Sequence, residues 1–383
     1  MDKVRIGIIG VGGMGSHHAG YLSKGEVRGA ELTAVCDVDK SKLGRWDGVR
    51  DFADSRELTR SGLVDAVLIA TPHYDHTTIG IDAFEQGLHV LTEKPISVHK
   101  ADCERLIAAH KASDGRVFSA MFQMRTSNLY KKVKKLIDSG EIGEISRVAW
   151  IVTDWFRTEA YYASGGWRAS WSGEGGGVLL NQCPHNLDLM QWFFGMPSKV
   201  RAYCKFGAKH DIEVEDEVTA YLEYSNGATG VFITTTGEAP GTNRLEVAGD
   251  RGKLVVEGST IKFYRNEMLA SEFRATSKQS FAKPEVWSID IPFGSGGGKH
   301  IEITQNFVNA ILNGDDLIAP AEEGIKSVEL ANCMLYSAWT DATVSLPLDS
   351  AAYEAALKER IASSRYVKKV QDIGEQDMNA SFK

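Results

Sequence analysis

A chain of 383 residues is too long for one ordinary hydrophobic core and long enough for two domains. At 43% hydrophobic and 25% charged it reads as globular, neither disordered nor fibrous. A formal net charge of -8 argues against nucleic acid and anionic membranes as partners, but leaves room for a phosphate held by backbone amides.

The first 120 residues alternate strand-like and helix-like runs. An apolar run at 4–9 ends in glycines, and 14–24 reads as a helix. A second strand at 31–36 ends at Asp37, and a third at 64–70 ends at Thr71-Pro72. Residues 77–86 form a predicted helix with Gly87 as its C-cap. A short strand at 89–92 precedes Glu93-Lys94-Pro95; a helix at 99–113 and a strand at 117–121 follow. This alternation predicts parallel βαβ units, a Rossmann-type domain over 1–125.

The remaining 126–383 change character. A basic amphipathic helix at 131–139 reads as a solvated face. Strands are predicted at 145–153, 199–206, 216–224, 228–236, 243–248, 252–257 and 260–264. Asn226-Gly227 between two of them is a hairpin signal, so the sheet should be large and mostly antiparallel. Helices are expected at 186–194, 302–313 and 321–340, the last packing back on the first domain. The fold class is therefore α/β throughout.

Cys36, Cys103, Cys183, Cys204 and Cys333 are widely spaced with no C-x-x-C pair, which suits reduced thiols in the cytoplasm. The N-terminus shows no signal-peptide pattern, and no apolar run is long enough for a membrane helix.

Gly10-Val11-Gly12-Gly13-Met14-Gly15 is a G-x-G-x-x-G between a strand and a helix. Gly10 permits the tight turn, Gly12 lets a pyrophosphate approach, and Gly15 lets helix and strand pack closely. Asp37, 22 positions beyond Gly15, is placed to bond the adenine-ribose hydroxyls and repel a 2′-phosphate. The cofactor expected is NAD.

A dehydrogenase needs a group to move the hydroxyl proton. Lys94, after a strand and fixed by Pro95, is one candidate. Gly175-Gly176-Gly177 leads to Asn181 and His185, four apart and so on one face if the segment were helical, although Pro184 interrupts it. His17-His18 and His73-Tyr74-Asp75-His76 complete no zinc-type set, so no metal is expected.

The glycine motif, Thr71-Pro72 with His76, Glu93-Lys94-Pro95, and a glycine-rich segment with a polar residue four before His185 together resemble the Gfo/Idh/MocA oxidoreductase family over essentially the whole chain. The resemblance implies a Rossmann domain followed by an α/β domain whose open-faced sheet serves homo-oligomer contact. It implies catalytic roles for Lys94 and His185. Asn181 stands where many polyol-oxidising members have Asp; it bonds a hydroxyl but accepts no proton. Thr71, Pro72, His76, Glu93, Gln123, Trp167 and Arg168 are expected around the cofactor. Arg125, Asp154, Trp155, Arg157, Tyr161 and, less directly, His300 are expected at the substrate. Aromatic rings with hydrogen-bonding groups suit a sugar ring.

The activity this implies is NAD-dependent oxidation of a secondary hydroxyl, at C3 of a pyranose sugar or glycoside, to the keto sugar, with NAD released or recycled in place. Alternatives are an inositol 2-dehydrogenase, a lyase or hydrolase working through transient C3 oxidation, and a non-catalytic NAD- or sugar-binding regulator.

Overall fold

The computed structural model describes residues 2–371, so residue 1 and the last stretch of the expected second domain, 372–383, lie outside the described residues. Six short strands form one parallel sheet: β1 (Val4–Ile9), β2 (Ala30–Cys36), β3 (Arg50–Phe52), β4 (Ala66–Ile69), β5 (His89–Thr92) and β6 (Phe118–Ala120). Their order is β3-β2-β1-β4-β5-β6. Every residue of β4 and β5 is buried, as expected of strands with helices on both faces. The returning helices are α1 (Gly13–Ser23), α2 (Ser55–Thr59), α3 (His73–Glu85) and α4 (Lys100–Ala112). Chain direction across the sheet reverses between β1 and β4, which opens a crevice beyond their carboxyl ends.

The chain then forms α5 (Asn128–Asp138), β7 (Ile145–Val152), α6 (Glu159–Ala163), α7 (Val178–Asn181) and α8 (Pro184–Phe194). The strands β8 (Lys199–Phe206), β9 (Glu215–Glu223), β10 (Thr229–Thr235), β11 (Asn243–Gly249), β12 (Gly252–Glu257) and β13 (Thr260–Asn266) follow. After α9 (Ala270–Thr276) come β14 (Val286–Asp290), α10 (His300–Asn313), α11 (Ala321–Thr340), β15 (Val344–Ser345) and α12 (Ser350–Ser363). The second sheet runs β14-β13-β12-β11-β7-β10-β9-β8-β15. Only the β7–β10 pair is parallel among the described residues. Asn226-Gly227 turns β9 into β10, with Gly227 at φ +85. Burial alternates along β9: Val218, Ala220 and Leu222 face the core while Thr219 and Tyr221 are exposed. One face of the sheet thus carries the core and the other meets solvent.

The helix expected at 321–340 does reach the first domain, and α10 joins it there. Ile303, Phe307 and Val308 of α10 and Ala321 and Val328 of α11 belong to the core of the parallel sheet. Leu330, Met334 and Leu335, further along α11, belong to the core of the second sheet. One continuous helix therefore spans both cores and fixes the two sheets around the crevice between them. The proline at 184 does what its backbone requires: α7 stops at Asn181, Cys183 caps, and α8 restarts with Pro184 in its first turn. Asn181 and His185 are therefore on separate helices.

Candidate active site

The glycine turn is dictated by contact. A Cβ on Gly10, at φ +88, would lie 2.8 Å from the Ala70 carbonyl carbon and oxygen, and one on Gly15 would overlap the Gly10 carbonyl oxygen. At Gly12 nothing lies within 4 Å of where a Cβ would stand, so the approach to the turn is open there. The α1 N-terminus has no side-chain cap and no acidic residue in its first turn, leaving amides for a phosphate. Asp37 Oδ2 accepts from the Val11 amide and Oδ1 from the Asp39 amide, both at 2.9 Å, which fixes the carboxylate at the end of β2. Thr71 Oγ1 is buried with no hydrogen-bond partner among the described residues. An open glycine cradle, uncapped amides, a fixed carboxylate and an orphaned hydroxyl together fit a dinucleotide.

Glu93 and Lys94 follow β5 at the crevice. Glu93 accepts from His18 Nε2 at 2.8 Å and from the Lys94 amide at 3.1 Å. Burial opposes its charge, but His18, and the nearby His300 and Lys94, hold the carboxyl well below the usual carboxylate range. His18 Nδ1 lies 2.7 Å from the Tyr21 hydroxyl, which in turn meets Thr304 Oγ1 at 2.6 Å. A buried chain of polar groups thus anchors Glu93 to α1 and α10.

Lys94 Nζ donates to the Asn181 main-chain oxygen at 2.9 Å. This bond joins the two domains' expected site residues. Burial lowers the ammonium's pKa and Arg168 and Arg157 add to that, while Glu93 and Glu174 oppose it. His185, buried at the start of α8, has Nε2 3.3 Å from Gln123 Nε2. Its Nδ1 and Gln123 Oε1 are buried and unpartnered among the described residues. Burial, with the charges of Lys94 and His300, holds His185 well below the ordinary histidine range, so the ring is neutral near pH 7. Turning the Gln123 amide over would let Oε1 accept from Nε2–H, leaving Nδ1 as a free base.

The loop before α7 builds an aromatic and guanidinium ladder. The Arg157 guanidinium lies 5.4 Å from the Trp155 ring centre and 5.1 Å from that of Tyr161. Arg168 lies 4.4 Å from the centres of both Tyr161 and Trp167. Trp167 meets His73, the first residue of α3, edge to face at 5.1 Å. The Tyr161 hydroxyl accepts from Arg168 at 2.7 Å and Gln182 at 2.9 Å, so its own O–H remains to donate.

Two expectations need correction, those for Arg125 and His76, and the structure also places His300 and Asp154. Arg125 does not face substrate: its side chain is 1% exposed and gripped by Asp188 at 2.8 and 2.6 Å and by Glu323 at 2.7 Å. His76 does not line a cofactor with a ring nitrogen, because Nδ1 meets the Pro95 carbonyl at 2.8 Å and Nε2 the Thr71 carbonyl at 2.9 Å. It ties the Thr71 turn to the Lys94-Pro95 turn instead. His300 packs against His17 and His18, ring centres 5.5 and 5.6 Å away, on the Rossmann side of Glu93. Asp154 accepts from Asn243 at 3.0 Å and lines a separate 180 Å³ cleft with Tyr130, Trp150 and Gly258.

Sequence reasoning passed over Glu174 and Gln182 and weighed His73 only as a metal ligand. Glu174 is 1% exposed and accepts from Asn181 Nδ2. Its signal was its place immediately before Gly175-Gly176-Gly177. Among the described residues no group of three or more His, Cys, Asp or Glu is arranged to hold a metal ion, and no helix is long and apolar enough to cross a membrane.

A doubly wound parallel sheet with an open glycine cradle defines the class, a Rossmann-type dinucleotide-binding protein, and comparison with known proteins carries this further. Residues 4–121 match the oxidoreductase family's NAD-binding Rossmann fold and residues 130–255 match the GFO/IDH/MocA C-terminal domain, together more than half of the sequence. The chain belongs to the GFO/IDH/MocA oxidoreductase family. It is 36% identical over 147 residues to inositol 2-dehydrogenase 1 of Saccharopolyspora erythraea, covering 37% of this chain and 43% of that one. It is 28% identical over 266 residues to myo-inositol 2-dehydrogenase of Thermotoga maritima, covering 66% and 75%. The first of these matches thus spans less than half of the relative's length. The crystal structure of the WlbA dehydrogenase from Bordetella pertussis, in complex with NADH and UDP-GlcNAcA, superposes with a TM-score of 0.77 at 28% identity, covering 91% of this chain and 100% of that one.

Proposed function

We propose that this protein oxidises a secondary hydroxyl of a pyranose sugar or glycoside, at C3, to the keto sugar with NAD. The observation that carries the reading is the bond from Lys94 Nζ to the main chain of Asn181, beside a buried His185 whose Nδ1 is unpartnered among the described residues. Buried polar atoms without partners are rare in folded proteins unless a ligand or water supplies them.

The turn from Gly10 to Gly15, with Asp37, Thr71 and Glu93, would hold NAD, whose nicotinamide supplies the hydride acceptor. The chain's own residues handle the hydroxyl. Lys94 donates a hydrogen bond to the substrate oxygen and stabilises negative charge growing there. His185, kept neutral by burial, takes the hydroxyl proton. Asn181 orients a hydroxyl by hydrogen bonding. Trp155, Tyr161 and Trp167 offer ring faces to the sugar's CH surfaces, and Arg157 and Arg168 hold those rings in place.

In this reading residues 1–125 are the NAD-binding domain and 126–383 carry substrate contacts and assembly. The solvent face of the second sheet, where Tyr203 and Tyr221 are exposed, would pair copies of the chain in the cytoplasm. Oxidation of an inositol ring is a second reading, favoured by the two relatives that bear that name. A cyclic polyol presents the same alternation of CH faces and hydroxyl edges.

The test is incubation of the purified protein with NAD and a panel of glucosides, free pyranoses and inositols. Nicotinamide absorbance reports net turnover. Mass analysis of a mixture of labelled keto sugar and unlabelled sugar reports exchange through retained NAD. Turnover or exchange with glucosides supports the first reading, and preference for inositols supports the second. Inertness towards every polyol in both assays, with ligand-dependent NAD affinity retained in Lys94→Ala, would establish a non-catalytic regulator instead.

A further inference from the structure

We infer that Glu174 is a positioning residue for this reaction: it fixes the Asn181 amide so that Oδ1 faces the substrate, and it adds to Glu93 a second negative charge near Lys94, which Asn at 181 does not supply. The inference rests on the reading of Lys94, Asn181 and His185 given above.

The geometry leaves Glu174 little freedom. Gly173 and Gly175 flank it, and neither tolerates a side chain. A Cβ on Gly173 would overlap the Trp167 carbonyl, and one on Gly175, already at φ +77, would overlap Val98. Oε1 accepts from Asn181 Nδ2, and Oε2 accepts from the Ala169 amide at 2.8 Å. Ala169 adopts φ +67 to present that amide, a left-handed conformation that a residue with a Cβ seldom takes. The Glu174 carbonyl lies 3.2 Å from His73 Nδ1. Strained and glycine-only positions thus serve to hold one buried carboxylate against the Asn181 amide.

The consequence for Asn181 follows from donor chemistry. An ionised carboxylate only accepts hydrogen bonds, so the amide must turn Nδ2 towards Glu174. Oδ1 is left facing away, and no residue among those described bonds it. Asn181 is therefore an acceptor for a substrate hydroxyl, the role an aspartate would play there, without the proton.

The consequence for Lys94 is electrostatic. The groups acting on its ammonium are Glu93, Glu174, Arg157 and Arg168, and its charge is in turn felt by His73, His185 and His300. Of these only Glu93 and Glu174 are acidic, and Glu93 already bonds His18. Burial pushes the Glu174 carboxyl upward, while Arg168 and, more weakly, Lys368 favour its ionised form. The carboxylate at 174 opposes the two arginines and so favours the charged form of Lys94 that polarising the substrate oxygen requires.

The experiment compares Glu174→Gln, Asn181→Asp and the double variant with the wild type, each checked for folding by thermal unfolding. Asn181→Asp sets two carboxylates in contact, and Glu174→Gln offers Asn181 a donor that lets its amide turn over. Each single change should lower kcat/KM by about tenfold or more, and the double variant, with the acid and amide exchanged, should recover most of that loss. Losses that simply multiply in the double variant would overturn the inference. A second arm needs no substrate: competitive acetylation of Lys94 with acetic anhydride at increasing pH, read by peptide mass. Glu174→Gln should make Lys94 reactive at lower pH than in the wild type. An unchanged labelling curve would overturn the electrostatic role. Because this arm uses neither NAD nor sugar, its outcome is independent of whether the proposed oxidation is correct.

Discussion

Two clusters of buried charge lie close together in this molecule, and they are built on opposite principles. Around Arg125 every guanidinium nitrogen has an acceptor: Nε and Nη2 meet Asp188, and Nη1 meets Glu323 and the Ile318 carbonyl. Around Lys94 the network is incomplete, with Thr71 Oγ1, Gln123 Oε1, Gln182 Oε1 and His185 Nδ1 all buried and unpartnered among the described residues. Both clusters carry the desolvation cost of buried polar groups. The closed one recovers it within the protein and joins the turn at 123–126 to α8 and α11. The open one awaits partners from outside, which is how a closed structural network differs from a binding site.

Substitutions should separate the two. Lys94→Ala should lower turnover by about 10²–10³-fold, the usual worth of a donor aimed at charge growing on the substrate oxygen, with little change in melting temperature or NADH affinity. Stopped-flow absorbance and NADH fluorescence titration measure both. Arg125→Ala should do the reverse, costing about 3–5 kcal/mol of stability by stranding Asp188, with the loss read by denaturant unfolding. A large rise in substrate KM at unchanged stability in Arg125→Ala would erase the distinction.

Asp37→Ala should raise KM for NAD about tenfold, roughly 1.4 kcal/mol, and narrow the preference over NADP, as measured by initial rates with each cofactor. Tyr161→Phe removes an acceptor shared by Arg168 and Gln182 and should cost about 1 kcal/mol, seen in KM more than in kcat. The pH profile sharpens the picture further. Turnover needs His185 neutral and Lys94 charged. Activity should rise as pH passes the His185 pKa, which lies below the ordinary histidine range, and fall through the Lys94 pKa, which lies below the ordinary lysine range. Both limbs are thus displaced towards acid, and a profile centred between ordinary histidine and lysine values would contradict the assignment.

What was legible in the sequence was local. The turn from Gly10 to Gly15, Asp37 at the end of a strand and Lys94 before Pro95 declare themselves because turn chemistry is written in neighbouring residues. The hairpin at Asn226-Gly227 is legible for the same reason. Arg125 misled because its partners Asp188 and Glu323 lie 63 and 198 positions away, beyond any local pattern. Glu174 was missed because a single acid in a glycine-rich loop has no periodicity, and its meaning depends on where Asn181 folds. Strands as short as β3, with three residues, and β15, with two, hold too few side chains to alternate.

The central claim is that Lys94 and His185 close on one substrate oxygen beside the dinucleotide. A crystal structure with NADH and a polyol that the panel shows to be turned over tests it most directly. The result expected is one hydroxyl within hydrogen-bonding distance of Lys94 Nζ and a ring nitrogen of His185, its carbon facing the nicotinamide. A polyol bound with those two side chains in separate pockets, or with its carbons turned away from the nicotinamide, would contradict it.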